Sequence, residues 1–246
     1  MRPTRLVPLA LTLLLPSACV TGSTRAPQAG PGCKARPSLD TPLGESGQPA
    51  PLIVELPIAQ LNPLARALEG EQLALVRYEG CSLEVLRGCG AAGSYTWSAD
   101  PPSSYELSLA TRASLDAQVP LGAGSLGPML DELGPLNMLL TSVGRYLAPL
   151  EGLAPSGSEC ERATHVVAQV LVGAWAVSAA GSVRVDVDAE VHGGTVSGSA
   201  FEQYAFARSE GDPAACASAT GASADGPAHN CRSLLQVELV ELPLAP

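Results

Sequence analysis

The chain has 246 residues, with 24 Asp and Glu against 14 Lys and Arg, a formal net charge of −10. A surface this acidic argues against nucleic acid, and against an anionic bilayer surface, as partner. Lys34 is the only lysine, and Ala, Gly and Pro are abundant, a composition resembling that of high-GC bacterial genomes.

Arg2 and Arg5 precede a ten-residue apolar core, L-V-P-L-A-L-T-L-L-L, and then small residues. This order reads as a secretory signal over 1–18, too short to span a bilayer as an anchor. Leu15-Pro16-Ser17-Ala18-Cys19 resembles a bacterial lipobox, which implies that Cys19 becomes the lipidated first residue. Ser17 and Ala18 fit that pattern, whereas Pro16 stands where its leucine belongs. Residues 19–50 are rich in Pro, Gly, Ser, Thr and Ala, the composition of a flexible tether. Residues 51–246 are long enough for one domain.

Along that domain, Pro51–Leu56 is a first short strand. Asn62 as N-cap, Pro63 in the first turn and Gly70 as stop predict a two-turn helix. Gln72–Tyr78 and Ser82–Arg87 read as strands flanking Glu79-Gly80-Cys81, and Gly88–Pro102 as loop. Apolar and polar residues alternate from Tyr105 to Val119, predicting one long strand that must bend or bulge. Ser125–Gly134 is a short connecting helix, and Leu136–Leu147 a strand interrupted at Gly144. Ala148–Ser158 is a Pro/Gly loop.

Between His165 and Arg184 no residue carries a formal charge, and Val dominates. Val166–Val183 is just long enough for a membrane helix, but its β-branched residues, Gln169 and Ser178 favour a central strand buried on both faces. Val183, Val185, Val187 and Val191 then alternate with Arg184, Asp186, Asp188 and Glu190, so a hairpin over Thr164–Val191 is predicted, turning at Ala180-Gly181-Ser182. Phe201–Arg208 and Leu234–Leu242 complete the strands. Strands in runs, with few helices, predict an α+β fold: a mostly antiparallel sheet of long strands with a few short helices to one side, stabilised by disulfides.

Of seven cysteines, six remain if Cys19 carries lipid. An even number in an exported chain implies disulfides. Proximity pairs Cys81 with Cys89 and Cys216 with Cys231, leaving Cys33 for Cys160. No C-x-x-C, G-x-S-x-G, H-E-x-x-H, Walker loop or dinucleotide fingerprint is present. Asp186, Asp188 and Glu190 form an acidic strand face that reads as solvated rather than as a Ca²⁺ site. His192 reads as a turn residue, and His229 lies in a disulfide loop. No catalytic residue, metal site or cofactor is assigned.

His165 begins the apolar run and reads first as a hydrogen-bonded structural residue. Thr164-His165, then Val166, six residues and Gly173, resembles the signature of the membrane-attack-complex/perforin family, an aromatic-Gly-Thr/Ser-His-aromatic stretch followed after six residues by Gly-Gly. Arg162, Ala163, Val166 and Ala174 depart from it. That resemblance implies a pore-former-like or membrane-interacting domain. Over most of the mature chain, V-R-Y-E-G-C-S-L-E-V-L, V-G-R-Y, C-E-R-A-T-H-V-V and the C-terminal G-D-P-A-A-C…C-R-S-L-L-Q-V-E-L resemble secreted lipoproteins of myxobacteria. That likeness implies an envelope location and disulfides, without an activity. The sequence therefore predicts an exported outer-membrane or cell-surface lipoprotein that works by binding or assembly, with the membrane and another envelope protein as partners. A secreted hydrolase using His165 is the third expectation.

Overall fold

The computed structural model describes residues 50–80, 82–121, 123–180, 206–219 and 226–243. The expected signal, the tether to residue 49, Cys19, Cys33, Cys81, Asp186, Asp188, Glu190 and His192 lie outside them, as does the second arm of the 164–191 hairpin.

Among the described residues the chain forms β1 (Gln72–Glu79), β2 (Ser82–Ala92), β3 (Thr96–Leu109), β4 (Leu136–Leu147), β5 (Pro155–Ser156), β6 (His165–Ala179), β7 (Phe206–Glu210) and β8 (Ser233–Glu241). Four helices accompany them: α1 (Ile58–Glu69), α2 (Arg112–Gln118), α3 (Ala123–Leu133) and α4 (Pro213–Ala217). All eight strands belong to one sheet, and every pairing is antiparallel.

The Val-rich run is a strand, β6, and the sheet is built on it. One edge pairs with β1 at Val166 and with β4 from Gln169 to Ala179; the other pairs with β8 from His165 to Gly173 and with β7 from Trp175 to Ser178. Both faces are buried. Val170 and Val172 join the core beneath α1, with Leu64 and Leu68, and Ala174 packs near the Cys216–Cys231 disulfide. Trp175 and Val177, on the opposite face, join Leu115, Leu126 and Leu130 of α2 and α3. The helices are therefore divided between the two faces, not gathered on one as expected. A strand apolar on both sides needs cover on both, and each fully buried Val or Leu is worth about 1.5–3 kcal/mol.

Other boundaries also differ from the sequence reading. Pro51–Leu56 forms only an isolated bridge, Leu52 to Gln236. Helix α1 starts four residues before Asn62 and carries Pro63 inside it. A proline there leaves the carbonyl of Ala59 without its helical donor, and Arg87 Nη2 supplies one at 2.8 Å. Alternation after Tyr105 continues as strand only to Leu109, because β4 offers a partner no further. Thr111 then caps α2 by exchanging hydrogen bonds with Ser114, and the apolar spacing of Leu115 and Val119 is helical. Pro101-Pro102, expected in a loop, belong to edge strand β3, where prolines cost no central ladder bond.

The disulfide pairing expected from proximity is overturned at Cys89, which bonds to Cys160. The β1–β2 register passes from Ala74↔Gly90 to Val76↔Val85, so Leu86, Arg87, Gly88 and Cys89 bulge opposite Leu75. The bulge faces the 3-10 turn Cys160–Arg162 that leads into β6, where Gly88 N–H donates to Glu159 Oε2 at 2.8 Å. Neither Cys81–Cys89 nor Cys33–Cys160 can then form. Cys216–Cys231 is bonded as expected.

A Cβ on Gly173 would collide with the backbone oxygen of Thr141. Gly173→Ala should therefore lower unfolding free energy by roughly 3 kcal/mol, as overpacking in a close-packed interior does, measurable by urea denaturation. Replacing Cys89 and Cys160 together by Ser should cost about 4 kcal/mol, since their bond closes a long loop of the unfolded chain. The urea midpoint of that double variant should be insensitive to further reduction at this pair.

Candidate functional site

Irregularities of the sheet converge on one strip. Asp100, Pro101 and Pro102 of β3 stand opposite the single Val143 of β4, between Ala99↔Gly144 and Ser103↔Ser142. Val143 is itself extra relative to β6, and the β6–β8 register shifts both between Val167 and Gln169 and between Leu171 and Val172. Bulges twist strands and re-aim side chains. Here they open a polar cleft of about 390 Å³ in the sheet face that further along carries Trp175 and Val177.

Neighbouring strands bring the cleft's polar residues into register. Arg145, Leu171 and Gln236 lie side by side across β4, β6 and β8, and Gln169 lies beside Glu238 in the next row. Arg145 Nε donates to Asp100 Oδ2 at 2.7 Å, and its Nη1 reaches Gln169 Oε1 at 3.4 Å. Gln236 Nε2 donates to the backbone oxygen of Ala50. Ser142 Oγ donates to Ser103 O at 3.3 Å. Glu238 is only 7% exposed and lines the cleft, yet its carboxylate has no hydrogen bond or ion pair with any described residue. The oxygens of this unpaired carboxylate meet solvent through the cleft rather than being sealed in the interior, so Glu238 sets the charge of the cleft.

Thr164 and His165 sit elsewhere, where β1, β6 and β8 meet. Thr164 N–H donates to Val76 O at 3.0 Å, its carbonyl accepts from Leu242 N–H at 2.9 Å, and its hydroxyl accepts from Tyr78 N–H at 2.8 Å. His165 Nδ1 lies 2.9 Å from the same hydroxyl, and the ring meets Tyr78 edge-on at 5.6 Å. Burial lowers the imidazole pKa below its ordinary 6.5, opposed by the Glu241 carboxylate. These contacts fix the pair as a strand junction, and neither residue lines the polar cleft. Gly173 lies eight positions along β6, required by the close approach of Thr141. His229 is exposed, with Nδ1 3.4 Å from Asn230 Oδ1.

A second polar cluster borders the Trp175 core. The Glu55 side chain is buried, accepts from Ser125 Oγ through Oε2, and lies with Oε1 3.4 Å from Arg208 Nη1. That contact is electrostatic, since Oε1 makes no hydrogen bond. Arg208 in turn stands 5.7 Å from the Trp175 ring centroid. The cluster pins the segment before α1, the α3 start and β7 together.

Sequence reasoning found none of the cleft residues, which span Ala50 to Glu238. Two signals were available: Gln169, the polar side chain early in the apolar run, and the Pro101-Pro102 and Gly144 breaks in neighbouring strands. Among the described residues no group of three or more His, Cys, Asp or Glu side chains is placed to hold a metal ion. No described helix is long and apolar enough to cross a membrane. No protein-family model, curated protein or solved structure matches the chain.

The depressed His165 pKa has a definite sign. Below its ordinary value the unfolded chain binds this proton more readily than the folded one, so stability is full above about pH 6.5 and falls as the pH drops through the window down to the folded value. Between about pH 7 and pH 5 the urea midpoint should fall further for the parent protein than for His165→Gln, with equal loss in both refuting this assignment.

Proposed function

We propose that this chain is a lipid-anchored bacterial envelope protein that presents a disulfide-braced β domain for binding or assembly rather than catalysis. The observation that carries this reading is the pair of disulfides, Cys89–Cys160 and Cys216–Cys231. Disulfides persist in oxidising compartments outside the cytosol, and the basic, then apolar N-terminus ending at Cys19 supplies a route there. With four cysteines bonded and Cys19 acylated, two of the seven cysteines, Cys33 and Cys81, are left over. A single acyl chain holds a protein only marginally, whereas two or three anchor it stably. The 19–50 tether then gives the domain reach from the membrane.

Binding fits the cleft better than catalysis does. The Asp100–Arg145 pair neutralises one of its carboxylates, and neither His165 nor His229 lines it. The test is the intact mass of protein extracted from native membranes, with and without reduction. A diacyl or triacyl addition at Cys19 and a gain of six hydrogens on reduction are the expected results. An unacylated chain cut elsewhere would replace this reading with a freely secreted protein.

A further inference from the structure

We propose that the polar cleft between β3, β4, β6 and β8 binds a small organic cation through an ammonium or guanidinium group, with Glu238 as its counter-charge.

The inference begins with charge. Two carboxylates and one guanidinium line the cleft, and Arg145 is already paired with Asp100 at 2.7 Å. The charge left over is that of Glu238, more than nine-tenths buried and without a described partner. It is negative, so an anionic ligand is disfavoured.

Hydrogen-bonding capacity points the same way. Gln236 donates its amide to Ala50 O, which leaves its carbonyl oxygen facing the cleft wall as an acceptor. Asp100 uses Oδ2 for Arg145 and retains Oδ1. Against these acceptors and Glu238, the chief spare donor is the Gln169 amide, whose oxygen accepts from Arg145. Acceptors thus outnumber spare donors in the site. An ammonium brings three and a guanidinium up to five, with a positive charge to pair with the Glu238 carboxylate that lines the cleft. A bare metal ion fits less well, because the cleft offers one uncommitted carboxylate and no histidine or thiol. At about 390 Å³ the cleft falls within the range of small-molecule sites and admits a diamine or an amino-acid side chain. Its walls come from four strands of one sheet, so they are largely pre-formed and little ordering opposes binding. The acidic surface as a whole raises the local concentration of cations.

The test is titration calorimetry at low ionic strength on the full processed protein in detergent. The probes are putrescine, agmatine, butanediol, succinate and N-acetyl-lysine amide. Putrescine or agmatine should bind saturably, butanediol of matching length should bind at least about tenfold more weakly, and succinate should not bind, as loss of a charge-assisted hydrogen bond predicts. Glu238→Gln, which keeps size and burial, should weaken the amine by the same order while its thermal midpoint shows a folded protein. If that variant does not fold, the comparison of amine with diol in the parent protein still decides. N-acetyl-lysine amide binding as tightly as putrescine would identify a lysine side chain of a protein as the natural source; a clear preference for the free diamine would identify a metabolite. No saturable amine binding at millimolar concentration, butanediol binding equal to putrescine, or an unchanged affinity in Glu238→Gln would each overturn the proposal. Acylation of Cys19 has no bearing on these outcomes, so this inference and the envelope reading fail separately.

Discussion

Strand β6 places a demand on the rest of the molecule that no other segment matches. Its backbone donors and acceptors must be paired along both edges, because Val166 to Val177 is shielded from water that could otherwise satisfy them. Its side chains are apolar on both faces, so both need cover. The chain answers the first demand with four partner strands, two to an edge, and the second with α1 and the α4 disulfide segment on one side and α2 and α3 on the other. With two Phe in the whole chain, the core relies on aliphatic packing, and Trp175 is the large exception at its centre.

Three of the four partners of β6, namely β4, β7 and β8, shift register against it. Where β4 and β8 pair with the same stretch of β6, both slip by a residue, and β3 slips against β4 beside them. The slips concentrate around Gly144 and Gly173, positions where a side chain would collide with a neighbouring strand. Side chains that would alternate into a core or into water are turned instead toward a common depression. The polar cleft is therefore a product of the same crowding that stabilises the sheet. Fold and site are two results of one constraint.

The cross-links reinforce this arrangement from its ends. Cys89–Cys160 ties the bulge of β2 to the turn that feeds β6, and Tyr95 spans the interior by accepting from Ala74 N–H at 3.2 Å and donating to Val167 O at 2.8 Å. Burial raises the Tyr95 pKa, so its hydroxyl stays a donor at any ordinary pH. Thr164 closes the same junction through three backbone groups. The Thr-His spacing that resembles a pore-former signature accordingly has a local architectural duty in this chain.

Sequence alone determined the β6 strand, because Val166–Val183 carries no formal charge and is dominated by β-branched valine. It also determined β4 to the residue, the α3 helix to within two, the Cys216–Cys231 bond and the antiparallel class, all of which depend on local periodicity or on short separations. It misjudged β3, α2 and the Cys89 partner because strand length is set by the neighbour, and a bulge is invisible until the partner strand is known. Glu238 gave no local sign at all: in β8 it occupies what alternation marks as a solvated position, and only Gln169 beside it and Arg145 two strands away make it part of a cleft. Periodicity reports which way a side chain points. Tertiary pairing decides what stands opposite it, and for this protein that decision created the site.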